Sequence, residues 1–218
     1  TVEETPIIRE KPFLYYDDEL GYQVFVPDIK ENSKSISWEQ EDYMEQGKSI
    51  SIEDFYVAKS DVDTAETINA QLAAGKHLLL TPGIYHLSEP IRVENENTIV
   101  LGIGLATLMA DQGTSCMEVS DVDGVILAGI LFDAGENESK ILLQLGTDGS
   151  NKGETPTCLS DLFFRVGGNE GYTAKTENCV VIDQNQVIGD NFWVWRADHG
   201  DNVAWDLNTA KNGIIVNG

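Results

Sequence analysis

The stretch Asp63-Thr64-Ala65-Glu66-Thr67-Ile68-Asn69-Ala70-Gln71-Leu72-Ala73-Ala74-Gly75, with Lys76-His77-Leu78-Leu79-Leu80-Thr81-Pro82-Gly83-Ile84-Tyr85-His86-Leu87 behind it, decides the fold. Asp63 or Thr64 can cap a helix N-terminus, with Glu66 or Thr67 in the first turn. Ala65, Ile68 and Leu72 share one face, and Gly75 is placed to end the helix. Leu78-Leu79-Leu80 then reads as a buried strand, Pro82-Gly83 as a turn, and the runs from Ile84 and from Pro90 to Val93 as two further strands. One short helix is thus followed at once by β structure.

Downstream of that point helical periodicity all but vanishes. Short β-rich runs separated by Gly, Asn and Asp recur roughly every 25 to 35 residues: Thr98 to Ile103, Gly124 to Ile130, Leu159 to Phe164, Gln186 to Phe192 and Gly213 to Val216. Secondary runs lie between them, at Cys116 to Val119, Ile141 to Leu145, Cys179 to Ile182 and Asn202 to Trp205. A constant strand motif at uneven spacing suits a solenoid whose turns accept insertions, of which Gly146 to Pro156 is one.

Upstream, residues 1 to about 60 form a separate segment. Phe13 to Tyr16 is a strand, Asp17-Asp18-Glu19 a turn, and Tyr22 to Pro27 an alternating strand that ends at proline. Ser33 to Gln46 is polar, with Trp38 and Tyr43 embedded, and reads as a long loop. Ser49 to Ile52 starts a strand that leads to Phe55-Tyr56-Val57-Ala58. The expected division is a β arm or appendage over 1–60 and a main body over 61–218.

Charge narrows the function. Fourteen Lys and Arg stand against 37 Asp and Glu, a net charge of −23. Such a field repels phosphate backbones and anionic headgroups, which excludes nucleic acid and membrane surfaces as natural partners. It also disfavours polyanionic substrates and leaves a neutral glycan unopposed. The acidity also serves solubility. No apolar run is long enough to cross a bilayer, so no membrane insertion is expected. The opening Thr1 to Pro6 looks like a processed start. Cys116, Cys158 and Cys179 are too scattered for a disulfide scaffold or a metal site, and each sits among apolar residues as small core packing.

The helix at Asp63–Gly75 followed by Leu78 to Tyr85 resembles the opening of pectate-lyase-like right-handed β-helix proteins, and Thr98-Ile99-Val100-Leu101-Gly102-Ile103-Gly104 resembles their first full coil. The resemblance covers about residues 60 to 218. It implies an all-β fold: the N-terminal portion of a right-handed parallel β-helix, a short capping α-helix over an otherwise open strand edge, and a small N-terminal β appendage. More narrowly, Trp193 to Gly200 with Gly213 to Gly218 resembles secreted bacterial β-helix glucanase-type proteins that carry discoidin-like (coagulation factor 5/8 type) accessory modules. That resemblance implies a secreted, extracellular protein, and further coils of the same β-helix as the partner of this one.

Trp193 to Trp205 is the richest segment for chemistry. Period-two alternation puts Trp193 and Trp195 on one face of a strand and Phe192, Val194 and Arg196 on the other. Trp faces stack on pyranose rings, so Trp193, Trp195 and Trp205, with Arg196 and His199, are the expected substrate-binding set. Asp190, Asp198 and Asp201 are the expected acid and base, since glycoside hydrolysis needs two carboxyls. His199 would orient an Asp, and Arg196 would lower a neighbour's pKa. Tryptophans also fill wide corners of such cores, and Arg–Asp pairs also fix turns.

Other signals are weaker. His77 and His86 read as structural. Gly102-Ile103-Gly104 lacks the third glycine and the following helix of a nucleotide site. Asp121-Val122-Asp123-Gly124 starts like a Ca²⁺ loop but lacks the later Glu ligand. No cofactor is required; so acidic a chain leaves room for Ca²⁺ without signalling it, and no metal ligands are assigned. Three functions follow in order: a glycoside hydrolase on a neutral polysaccharide such as a glucan, a non-catalytic glycan-binding β-helix, and a polysaccharide lyase. The fold hosts all three.

Overall fold

The computed structural model describes residues 3–34, 36–38, 40–168 and 171–218. The chain divides into two units, 1–55 and 56–218.

In the first unit, β1 (Thr5–Arg9) pairs antiparallel with β4 (Ile29–Ser33). Beside this pair, β2 (Phe13–Asp17), β3 (Gly21–Pro27) and β5 (Gly47–Ser51) form an antiparallel sheet. The Asp17 carboxylate closes the β2–β3 hairpin by accepting the N–H groups of Glu19 and Leu20. The polar stretch after β4 carries more structure than a bare loop. Tyr43 begins a 3-10 turn and buries its ring against Phe25, centroids 5.3 Å apart. Its hydroxyl is pushed up to about 12 by burial and by the Glu10 charge. Glu10 in turn accepts the Ser37 N–H and hydroxyl, which pins the stretch.

The second unit contains β6 (Phe55–Ala58), α1 (Ala65–Ala73), β7 (His77–Leu80), β8 (Ile84–His86), β9 (Ile91–Val93), β10 (Ile99–Ala110), β11 (Met117–Val119), β12 (Ile126–Ala134), β13 (Ser139–Leu145), β14 (Thr157–Val166), β15 (Thr176–Ile182), β16 (Val187–Arg196) and β17 (Ala210–Val216). From β7 on, the strand pairs are parallel. One sheet runs β6-β7-β10-β12-β14-β16, and another runs β9-β11-β13-β15-β17. This is a right-handed parallel β-helix.

The long strands bend, and the bend follows from their sequence. Leu127 of β12 points into the core, and so do Ile130, Phe132 and Ala134. Alternation therefore slips by one residue at Gly129, whose φ of +71° turns the strand. The same slip falls between Leu159 and Leu162 at Asp161 (φ +52°), and before Phe192 at Asn191 (φ +54°). β7 pairs only with the first half of β10 and β8 only with the second. Each long strand thus supplies two faces of a three-faced prism, and the β9–β17 sheet supplies the third.

Core residues stack from coil to coil. Leu78, Val100, Leu127 and Leu159 form one column, ending at Gly189. Tyr85, Leu108, Phe132, Phe164 and Val194 form another, in which the Phe132 and Phe164 rings stack 4.8 Å apart and nearly parallel. Ile91, Met117, Leu143, Val180 and Ile214 line the third face. Each fully buried Leu or Phe contributes roughly 1.5–3 kcal/mol. All three cysteine side chains are buried, and burial pushes the Cys179 thiol up to about 11.

Helix α1 closes the first coil. Thr64 is its N-cap, in a capping box with Thr67. Asp63 turns aside to accept the Lys59 N–H. At the other end Gly75 (φ +89°) and Lys76 donate to Leu72 and Gln71, a Schellman closure. Ala65, Ile68 and Leu72 sit in the core. Asn69 meets the open edge of β9 directly: its amide donates to the Pro90 carbonyl (2.9 Å) and accepts the Arg92 N–H (2.8 Å). The side chain stands in for the strand that would otherwise lie there.

Candidate functional site

β16 places the tryptophan pair. Trp193 and Trp195 lie on its outer side above Phe163 and Arg165 of β14, while Phe192 and Val194 pack on the core. The two indoles are 5.1 Å apart at 40°, and Trp193 is 60% exposed. The loop that follows is built on Arg196. Its Nε donates to the Asn208 carbonyl and its Nη2 to the Trp205 carbonyl, and its guanidinium lies 5.6 Å from the Trp205 ring centre. Asn208, fully buried, bonds Val166 and Ala197 and completes the anchor. Trp205 is held on this frame 91% exposed. Arg196, Ala197, Asp198, Val203, Ala204 and Trp205 surround a groove of about 340 Å³.

Of the three expected carboxylates, Asp198 lines this groove and Asp190 and Asp201 are not among the residues around it. Asp190 precedes the Asn191 corner and faces outward opposite Ser160, with the second half of β16 between it and the loop. Asp198 hydrogen-bonds His199 on the exposed loop, which holds its carboxyl below the usual range. Asp201 is exposed on the same loop. Arg196 donates to the two backbone carbonyls that hold the loop and also lines the groove.

A second, polar cleft lies on the third face. Glu118, Val119, Ser120, Gln144, Thr147 and Asp183 line a cavity of about 400 Å³, within the range of small-ligand pockets. Glu118 and Gln144 are register partners on β11 and β13 and project outward between core residues. The Gln144 amide donates to Asp183 at 2.9 Å, one coil further on. Asp183 also accepts the Asn217 amide. A wall of the cleft is fixed from below: Asp121 accepts the N–H and hydroxyl of Thr147 and the N–H of Gly149. Asp123, buried, accepts the Asn151 amide and the N–H groups of Gly153 and Glu154. The pair that begins like a Ca²⁺ loop thus spends its oxygens on the insertion Gly146 to Pro156. Among the described residues, no three His, Cys, Asp or Glu side chains are arranged to hold a metal ion. His77 and His86 serve structure, accepting the Ile99 N–H and pairing with Asp111.

Three parallel faces, left-handed corners and an N-terminal helical cap define a pectate-lyase-like right-handed parallel β-helix. The chain belongs to the family of the LAM55 pectate lyase-like domain, whose pattern it matches over residues 55–218. It is 45% identical over 220 residues to an exo-beta-1,3-glucanase of Streptomyces sp. (strain SirexAA-E / ActE), with 100% of this chain and 35% of that protein covered. It superposes on the structure of sacteLam55A from Streptomyces sp. SirexAA-E with a TM-score of 0.92, at 45% identity, covering 99% of this chain and 38% of that one. A variant of that protein in complex with glucose superposes with a TM-score of 0.90, at 45% identity, over 97% of this chain and 38% of the other. The chain therefore spans just over a third of the length of these relatives.

Proposed function

We propose that the protein is a secreted glycoside hydrolase acting on β-1,3-glucan, by carboxylate acid–base chemistry and without a metal or organic cofactor. The observation that carries this reading is the 45% identity, over the whole of this chain, to an exo-beta-1,3-glucanase. Net charge agrees with it, since a neutral polysaccharide meets no repulsion from −23. Of the two candidate sites, the third-face cleft has the composition the chemistry needs. Glu118 and Asp183 line one cavity with the Gln144 amide bonded to Asp183. Two carboxyls with a polar side chain between them suit a sugar hydroxyl or an attacking water.

The test is glucose release from a linear β-1,3-glucan by the complete protein, beside cellulose and other neutral glucans. Glucose released from the β-1,3-glucan supports the proposal. Binding without release from any glucan would overturn it in favour of a glycan-binding module. Ultraviolet absorbance from unsaturated uronates on polyuronate would favour a lyase instead.

A further inference from the structure

We infer that Trp193, Trp195 and Trp205 form a second carbohydrate-holding surface, for a chain of neutral pyranose units, apart from the cleft of Glu118 and Asp183. The inference rests on the glucan-active reading for its ligand and on the fold for its separateness.

Separateness comes from the path of a coil. Each coil runs along the first half of a long strand, turns at its left-handed corner, follows the second half, crosses a loop, and then enters the third sheet. The tryptophan pair lies on the outer side of the second half of β16. The cleft lies where β11 and β13 of the third sheet end, at Val119, Ser120 and Gln144. These are different faces of the prism, so one short saccharide cannot occupy both.

Ligand class comes from what the surface offers. Trp193 and Trp195 present two flat apolar rings 5.1 Å apart on a rigid strand, and Trp205 a third on a pinned loop. Fixed indoles stack on the C–H faces of pyranoses at little conformational cost. Asp198, which lines the groove beside Trp205, supplies an acceptor for a sugar hydroxyl there. A charged ligand is disfavoured from both sides: the chain repels anions, and the Arg196 hydrogen bonds already point into the loop. Stacking contributions add along a ligand that reaches more than one ring, so the surface matters for a polymer and little for a monosaccharide.

Affinity electrophoresis of the complete protein in gels containing soluble β-1,3-glucan tests this. The wild type is expected to be retarded. Trp193→Ala with Trp205→Ala should weaken retention at least tenfold, whereas Glu118→Gln with Asp183→Asn should leave it largely intact while removing turnover. Both tryptophans project away from the core, so folding is checked simply by the unfolding midpoint, and Trp195→Phe should keep most of the retention. Unchanged retention in the tryptophan variant, or loss of retention in the cleft variant, overturns the second surface. If β-1,3-glucan is neither bound nor cleaved, the same gels with xylan, mannan and mixed-linkage glucan separate the two failures. Tryptophan-dependent retention on one of them keeps the surface and sinks the glucanase reading; no retention on any sinks the surface.

Discussion

Asn191 donates its side-chain amide to the carboxylate of Asp161 one coil below, at 2.6 Å, and both residues hold left-handed φ angles, +54° and +52°. The register extends this column to Gly129 (φ +71°), so three coils turn at stacked left-handed positions; in the coil before them the register with β12 breaks, and Leu105 (φ +60°) takes a left-handed angle within that break. Asn and Asp tolerate that region because short polar side chains bond locally, and here each bonds the other.

The column makes a signed prediction. Asn191→Val should cost about 1–2 kcal/mol, since a β-branched side chain cannot relax there, while Asn191→Gly should cost far less. Leu105, 65% exposed, carries the strain with no core packing to compensate it. Leu105→Gly should therefore gain about 0.5–1 kcal/mol. Denaturant midpoints of the three variants check all three signs.

That column also marks where sequence stops being readable. Helix α1 is legible because its signals are local: Thr64 and Thr67 box the N-terminus, and Gly75 closes the other end within two residues. The apolar runs are legible as strands for the same reason. Their corners are not. Asp161 and Asn191 are ordinary polar letters within a run, and only the one-residue slip in the inward set, Leu159 to Leu162, betrays the bend. Sites divide similarly. The tryptophans stand out because they fall in one short segment, Trp193 to Trp205, whereas Glu118, Gln144 and Asp183 meet only when three coils stack; Gln144 and Asp183 lie 39 residues apart. Tyr43 is hidden likewise, a polar stretch giving no sign that Phe25 and Glu10 wait for it.

Asn69 is the capping contact whose loss should be felt most. Asn69→Leu preserves size but leaves the Pro90 carbonyl and Arg92 N–H of β9 without these partners. A partly buried orphan group costs about 1–3 kcal/mol, so about 2–4 kcal/mol in all is expected. The bared edge should also promote association. Urea unfolding gives the first quantity, and size-exclusion chromatography near the unfolding midpoint the second.

If the third-face cleft performs the hydrolysis, Glu118→Gln and Asp183→Asn should each lower kcat by about 10²–10⁴, the usual worth of a positioned proton donor or acceptor. Asp201→Asn, on the exposed loop, should stay within about twofold. A large loss in Asp201→Asn, with little loss in either cleft variant, would move the reacting groups to the tryptophan loop.

Asp121 and Asp123 should make the cleft wall acid-sensitive. For Asp121 burial alone would raise the pKa, but the bonds from the Thr147 hydroxyl and from the Thr147, Asp148 and Gly149 N–H groups outweigh it and leave it below the ordinary 3.8. For Asp123 the Asn151 amide is the largest cause of a lowered value, against burial, with the Glu154 and Gly153 N–H groups and the Lys152 charge adding to it. A depressed folded pKa gives stability that is fully present above the unfolded value and lost as pH falls through the folded one. Between neutrality and about pH 5 the clasp should thus be constant, and it should loosen only below the ordinary carboxylate range. Asp123→Asn removes the charge that strengthens three bonds, worth about 1.5–3 kcal/mol, or roughly 3–10 °C in Tm for a chain of this size. That difference from wild type should appear at pH 7 and shrink towards zero as the pH drops through the folded Asp123 value, where the wild-type carboxyl is itself neutral. A gap between wild type and Asp123→Asn that persists undiminished in acid would mean that shape rather than charge holds the insertion against the cleft.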